Sequence, residues 1–152
     1  MAARPVKVLA VASGGGHWVQ LLRLRTAWDG CDVAYATVHP DAAAQVPGAR
    51  FFSFKDASRK NKAGFAIVAL QLFRAVATVR PDVIVTTGLA PALLAILFGR
   101  LFGARTLWID SIANSEVMSS SGLRARRLAH QCVTQWPELA RDPVPQYWGA
   151  VL

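Results

Sequence analysis

The sequence is poor in the residues that would tie it to several large classes of protein. It has two cysteines, Cys31 and Cys132, and their spacing is not that of a metal site. Each lies in an apolar, strand-like run and reads as a buried free thiol, which points to a reducing compartment, most simply the cytoplasm. Charge is also scarce: 17% of residues are charged, against about 25% in an average domain. Acidic residues are the scarcer sign, nine against seventeen basic, for a formal net charge of +8. A chain that is 53% hydrophobic and yet this basic suits either nucleic acid or an anionic membrane surface. It has no helix-turn-helix or RNA-binding signature and no basic residues interleaved with aromatics, which argues against nucleic acid. The basic residues sit beside apolar helical stretches instead, which favours a membrane. A secretion signal is missing as well. The apolar start of the chain runs into Gly14, Gly15 and Gly16, a turn rather than a cleavage region. No certain membrane span, internal repeat, low-complexity segment or linker is found.

What is present is one domain's worth of chain, residues 1–152, long enough to bury a core of its own. Short apolar runs over residues 6–12, 31–37, 49–54, 82–86, 105–109 and 131–134 read as strands. Helices are predicted over 17–28, 62–80, 91–102 and 122–130, with a short one over 41–45. Pro81 stops the second long helix, and Pro91 stands at a favoured first-turn position. Continuous apolar strands alternating with helices mean a parallel sheet covered on both faces, a Rossmann-like α/β domain. The stretch 137–152, with Pro143, Pro145, Tyr147 and Trp148, reads as an extended tail available for contact with a partner.

Chemistry concentrates where the strands end. Ser13, Gly14, Gly15, Gly16 and His17 join the first strand to its helix. Glycines there permit a sharp turn and the close approach of a ligand to the backbone, and the helix start offers free N–H groups. The loop is neither a dinucleotide fingerprint, since Val19 stands where a third glycine would be, nor a Walker loop, since no Gly-Lys-Ser/Thr follows. His17 sits at the mouth of the sheet, where a neutral imidazole can act as base or donor. Thr87 and Gly88 end the fourth strand on the same rim, and Asp110 and Ser111 end the fifth. Asp110 follows apolar Leu107, Trp108 and Ile109, and a carboxylate there suits a general base or an acceptor for sugar hydroxyls. Asn114 and Glu116 lie in the polar loop beyond.

A second signal concerns the membrane. Residues 63–79 are apolar except for Gln71, Arg74 and Thr78, which fall on one narrow stripe. Lys55, Arg59, Lys60 and Lys62 lead into this helix, and Phe65 and Phe73 lie on it. A basic cluster before an apolar helix is the pattern of an interfacial anchor, and equally of a crossover helix packed on the sheet.

Four segments occur in order along the chain: SGGGHWVQLLRL at 13–24, RPDVIVTTGLAPALLA at 80–95, LWIDSIANSEVMSSSGLRARRLAH at 107–130 and TQWPELA at 134–140. As a set they resemble the acceptor-side, membrane-recruiting subunits of two-subunit glycosyltransferases. These include the dolichol-chitobiose N-acetylglucosaminyltransferase subunit and bacterial homologues of exopolysaccharide synthesis. The lipid II-forming transferase of peptidoglycan synthesis is similar at greater distance, with a like glycine loop ending in histidine. The resemblance implies the N-terminal half of a GT-B enzyme, peripheral on the cytoplasmic face of the inner membrane. It implies a polyprenyl diphosphate-sugar acceptor, a UDP-sugar at a cleft shared with a donor-binding partner subunit, and neither metal nor other cofactor. His17 and Asp110 are then the catalytic candidates. Ser13, Gly14, Gly15, Gly16, Thr87, Gly88, Ser111, Asn114 and Glu116 are candidates to bind the acceptor. Eukaryotic members usually begin with a membrane anchor, which is not seen before the first strand here, so a bacterial member is expected. Where members often carry Glu-Ser, this chain has Asp110 and Ser111, with the charge kept and the reach shorter. Two other readings remain: a membrane-recruiting scaffold without catalytic residues, and a stand-alone Rossmann-like nucleotide-binding protein. The latter lacks its acidic residue after the second strand, where Thr37, Val38 and His39 stand.

Overall fold

A computed structural model of the chain describes residues 3–57 and 60–151. Among the described residues seven strands form one sheet: β1 (Lys7–Val11), β2 (Asp32–Thr37), β3 (Arg50–Ser53), β4 (Val83–Thr86), β5 (Arg105–Ile109), β6 (Gln131–Thr134) and β7 (Gln146–Tyr147). Their order is β3-β2-β1-β4-β5-β6-β7, and every neighbouring pair is parallel. Parallel neighbours need crossovers, and four helices supply the long ones: α1 (Gly16–Arg23), α2 (Lys62–Val79), α3 (Ala92–Leu101) and α4 (Ser120–Leu128). The chain builds outward from β1 to β3, then returns through α2 to lay β4 on the other side of β1. The carboxyl ends of β1 and β4 therefore flank the topological switch point, where sheets of this kind open a crevice.

The pleat divides the apolar strand residues between two cores. Leu9, Val11, Ile84 and Trp108 pack beneath α2, α3 and α4, against residues such as Leu72, Val76 and Ile96. Val8, Ala10, Tyr35, Val85 and Ile109 pack on the opposite face with Trp18 and Leu21 of α1. Both faces are covered, which is why the strands read as unbroken apolar runs.

Four local expectations change. The helix expected over 17–28 ends at Arg23 and is followed by a 3₁₀ turn, Arg25–Trp28. The tighter turn seats Trp28 in the core, with its Nε1–H donating to Tyr35 Oη at 3.2 Å. The fourth helix starts at Ser120 rather than 122, because Ser119 caps it, accepting from the Gly122 N–H at 2.8 Å. Cys31 is only half-buried and stands before β2, whereas Cys132 is fully buried. Burial, with Asp110 nearby, pushes the Cys132 thiol up to about 12, so it stays protonated at neutral pH. The fourth change concerns the tail, which over 137–151 returns to the sheet instead of standing apart. Val133 and Thr134 pair with Gln146 and Tyr147, Pro145 is buried, and the Val151 N–H donates to buried Gln135 Oε1 at 2.9 Å.

Candidate functional site

A cavity of about 370 Å³ opens at the switch point. His17, Gly88, Asp110, Ser111 and Asn114 line it, together with Leu89, Ala90, Ala113, Ser119, Ser120 and Ser121. Its walls thus come from the loops after β1, β4 and β5 and from the start of α4.

His17 is held from both ends. Its Nδ1 lies 2.8 Å from the Thr87 carbonyl oxygen, and Thr87 Oγ1 donates to the His17 carbonyl at 2.7 Å. A carbonyl only accepts, so the Nδ1 hydrogen must point at it, and in the neutral ring the lone pair is then on Nε2. Among the described residues no hydrogen-bond partner is recorded for Nε2. The turn opposite is tight: Gly88 has φ +129° and Leu89 φ +92°. A Cβ on Gly88 would stand 2.9 Å from the imidazole Cε1, so this glycine makes room for the ring. A bulky residue such as Leu89 in the positive-φ region is strained, and such strain gathers at functional sites.

Asp110 faces the same cavity, but its carboxylate is already engaged. Oδ1 accepts from Trp108 Nε1 at 3.2 Å and from Ser119 Oγ at 2.6 Å. Oδ2 accepts from the Ser119 N–H at 2.9 Å and from Asn114 Nδ2 at 3.1 Å. With the side chain 2% exposed, these four bonds satisfy most of its accepting capacity. The carboxylate ties β5 to the cap of α4 and holds the loop between them. Among the described residues no three His, Cys, Asp or Glu side chains gather to share a metal ion.

Other candidates fall outside the cavity lining. Ser13 is buried and its carbonyl accepts from Thr37 Oγ1 at 3.2 Å. Gly14 packs against the ring of His39, and Gly15 and Gly16 are exposed with open space around them. Thr87 is wholly buried and acts on His17 rather than facing the cavity. Glu116 is exposed on the loop beyond Asn114.

Two buried glutamines that the sequence reading passed over knit the site together. Gln20 of α1 donates to Ser111 Oγ at 3.1 Å and accepts from the Ile112 N–H at 3.2 Å. Gln135 donates to Gln20 Oε1 at 2.7 Å and to the Asp110 carbonyl at 3.0 Å. Trp136 Nε1 donates to the Ile112 carbonyl at 2.7 Å. The Gln-Trp pair of the fourth motif thus fixes the loop that carries Ser111. The motif was visible in the sequence, but the residues it would touch were not.

The basic and apolar residues assigned to a membrane lie on the face of α2 and α3. Lys55, Lys60 and Lys62 are exposed, while Arg59 lies outside the described residues. Ile67, Leu70 and Phe73 of α2 and Leu97 and Leu101 of α3 are 41–73% exposed. Phe73 stacks edge-on with Phe98 and Phe102, at centroid distances of 5.4 and 5.8 Å. Phe65 is half-buried and lines an apolar groove. α2 is long and apolar enough to cross a membrane by composition, with 28% of it buried. Its inner stripe of Val68, Leu72, Val76 and Val79 packs on the sheet, so both sequence readings of this helix describe part of it.

Together the sheet order and the crevice define a Rossmann-like domain with the fold of the N-terminal half of a GT-B glycosyltransferase. MurG of Acinetobacter baumannii superposes with a TM-score of 0.75 over 97% of this chain, at 16% identity. The chain spans about half the length of that protein, covering 47% of it. A glycosyltransferase from Rickettsia africae matches with a TM-score of 0.65, 13% identity, 88% of this chain and 37% of that one. The UDP-N-acetylglucosamine 2-epimerase of Rickettsia bellii matches with 0.64, 9% identity, 87% and 39%. In sequence, the chain is 27% identical to the UDP-N-acetylglucosamine transferase subunit ALG14 of Eremothecium gossypii, over 97% of this chain and 80% of that protein. No protein-family model matches. The likeness in sequence thus runs over nearly the whole chain, and the solved structures share its fold.

Proposed function

We propose that the chain is the acceptor-side half of a glycosyltransferase whose donor-binding half is a separate polypeptide. In this reading a polyprenyl diphosphate-linked sugar lies in the crevice at the switch point. A UDP-sugar, with UDP-N-acetylglucosamine the form named for its relatives, is held chiefly by the partner. The observation that carries the reading is the held His17, with Nε2 free beside a cavity lined by hydroxyls and an amide. The acceptor hydroxyl attacks the anomeric carbon of the donor, the bond from that carbon to the diphosphate breaks, and UDP leaves with the electron pair. His17 Nε2 takes the hydroxyl proton, and the Thr87 carbonyl steadies the resulting imidazolium through Nδ1–H. Asp110 keeps the loop and the α4 cap in place without accepting that proton, since its oxygens already hold four donors. A partner is supported by the relative's own description as a subunit, four-fifths of which this chain covers. The partner's footprint includes 137–152, where Tyr147 and Trp148 are 43% and 59% exposed. Synthesis of a surface polysaccharide is the setting this reading favours.

The same reading places the face of α2 and α3 on the cytoplasmic side of the cell membrane, peripherally. The exposed apolar side chains sit beside Lys55, Lys60 and Lys62, and each basic residue near an anionic surface contributes about 1 kcal/mol. Sedimentation of the chain with phosphatidylglycerol-containing vesicles tests this. The double variant Lys55→Glu/Lys60→Glu is expected to weaken binding about tenfold or more, since two attractive charges become repulsive. Leu70→Glu/Phe73→Glu is expected to do the same at high salt, where the charge contribution is screened. Binding unchanged in both variants would move the anchor to another face.

A further inference from the structure

Beside the polar cavity lies a second one, a groove of about 430 Å³ between α2, α3 and α4. Its walls are aliphatic and aromatic: Phe65 from α2 and Leu93, Leu94 and Leu97 from α3. Two cations also line it, Lys62 at the start of α2 and Arg124 on α4, and among the described residues no acidic one does. Ala90 belongs to the lining of both cavities, so the groove and the His17 crevice adjoin. Leu97, which is 41% exposed, lines the groove and also belongs to the exposed apolar face of α2 and α3, so the groove meets that face.

We propose that this groove holds the first isoprene units of a polyprenyl diphosphate, with Lys62 and Arg124 taking the diphosphate. The proposal rests on the acceptor-side reading and names a subsite for it. A lipid-linked sugar has three parts in fixed order: sugar, diphosphate, prenyl chain. The surface offers three regions: a hydroxyl-lined cavity, two cations, and an apolar groove leading toward the membrane-facing side. A flat contact with bilayer lipid needs apolar side chains but no concave groove. A nucleotide's base and ribose need hydrogen-bonding walls, and apart from the two cations the groove's walls are aliphatic and aromatic. Its volume falls within the range of pockets that enclose small ligands, and it sits outside the cavity proposed for chemistry.

The test uses the purified chain without vesicles, titrated calorimetrically with farnesyl diphosphate, farnesol and inorganic diphosphate below any micellar concentration. Farnesyl diphosphate is expected to bind at least about tenfold tighter than either fragment, because burying two methylenes' worth of apolar surface already accounts for that factor. Leu97→Asp is expected to weaken farnesyl diphosphate about tenfold and leave inorganic diphosphate unchanged. Arg124→Gln should weaken both anions and spare farnesol. Both sites are exposed, and an unchanged melting temperature checks that the variants fold. Farnesyl diphosphate binding no tighter than inorganic diphosphate, or indifferent to Leu97→Asp, would overturn the proposal. If that occurs while transfer by the assembled pair still depends on His17, the groove alone is misassigned. If His17 is dispensable too, the acceptor-side reading fails with it.

Discussion

Replacing His17 with alanine is expected to lower sugar transfer by the assembled pair about 10²–10⁴-fold, the range for loss of a general base. That range corresponds to roughly 3–5 kcal/mol in the barrier. The side chain is half-exposed at the cavity, and its removal strands no buried group except the accepting Thr87 carbonyl, which water in the crevice can reach. Folding and partner binding should therefore persist. The loss should fall on kcat far more than on KM, because the proton moves only as the bond to the donor forms. His17→Asn tests the Nδ1 contact separately: its amide can reach the Thr87 carbonyl but offers no basic nitrogen, so activity should stay low. A well-folded His17→Ala pair with near-normal turnover would leave the glycine loop a binding turn.

Asp110→Ala is expected to act through the fold rather than through the proton. It strands the Trp108 indole N–H, the Ser119 N–H and hydroxyl, and the Asn114 amide. A buried donor left unsatisfied costs about 1–3 kcal/mol. With some relief from water and from rotation of Ser119, the total is about 3–5 kcal/mol. In a domain of this size that is a fall in melting temperature of roughly 6–20 °C. Activity should fall with it, and Asp110→Glu should recover little, since the carboxylate already occupies the space that a Cβ on Gly122 would need and a longer one has little room there. The decisive variant is Asp110→Asn. A general base would lose about 10²–10⁴-fold in kcat with an intact fold. A positioning carboxylate shows a lower melting temperature together with a shallower loss of activity.

The architecture was legible because its signals are local. Val83, Ile84 and Val85 form an unbroken apolar run, and only a strand covered on both faces asks for that. The order placing β1 beside β4 follows from the same doubly wound logic, and it brings His17, Gly88 and Asp110 to one rim. The misses share a cause, namely dependence on distant partners. β7 has two residues and exists because β6 offers it an edge. The end of α1 at Arg23 is set by where Trp28 must go to meet Tyr35. Gln20 reads as a polar interruption in an apolar helix, and only the fold reveals Gln135 and Ser111 waiting for it across 115 and 91 residues of chain. Asp110 was placed correctly at the strand end, yet its occupation by Trp108, Asn114 and Ser119 depends on a loop whose path the sequence does not spell out.

The central claim is that catalysis needs a second polypeptide for the donor. The direct measurement is transfer of radiolabelled sugar from UDP-N-acetylglucosamine to a polyprenyl diphosphate-linked acceptor in vesicles. It compares the purified chain alone with the chain mixed with a donor-binding glycosyltransferase subunit. No transfer by the chain alone, and transfer that rises to saturation as the second subunit is titrated in, is the predicted result. Robust turnover by the chain alone would contradict it.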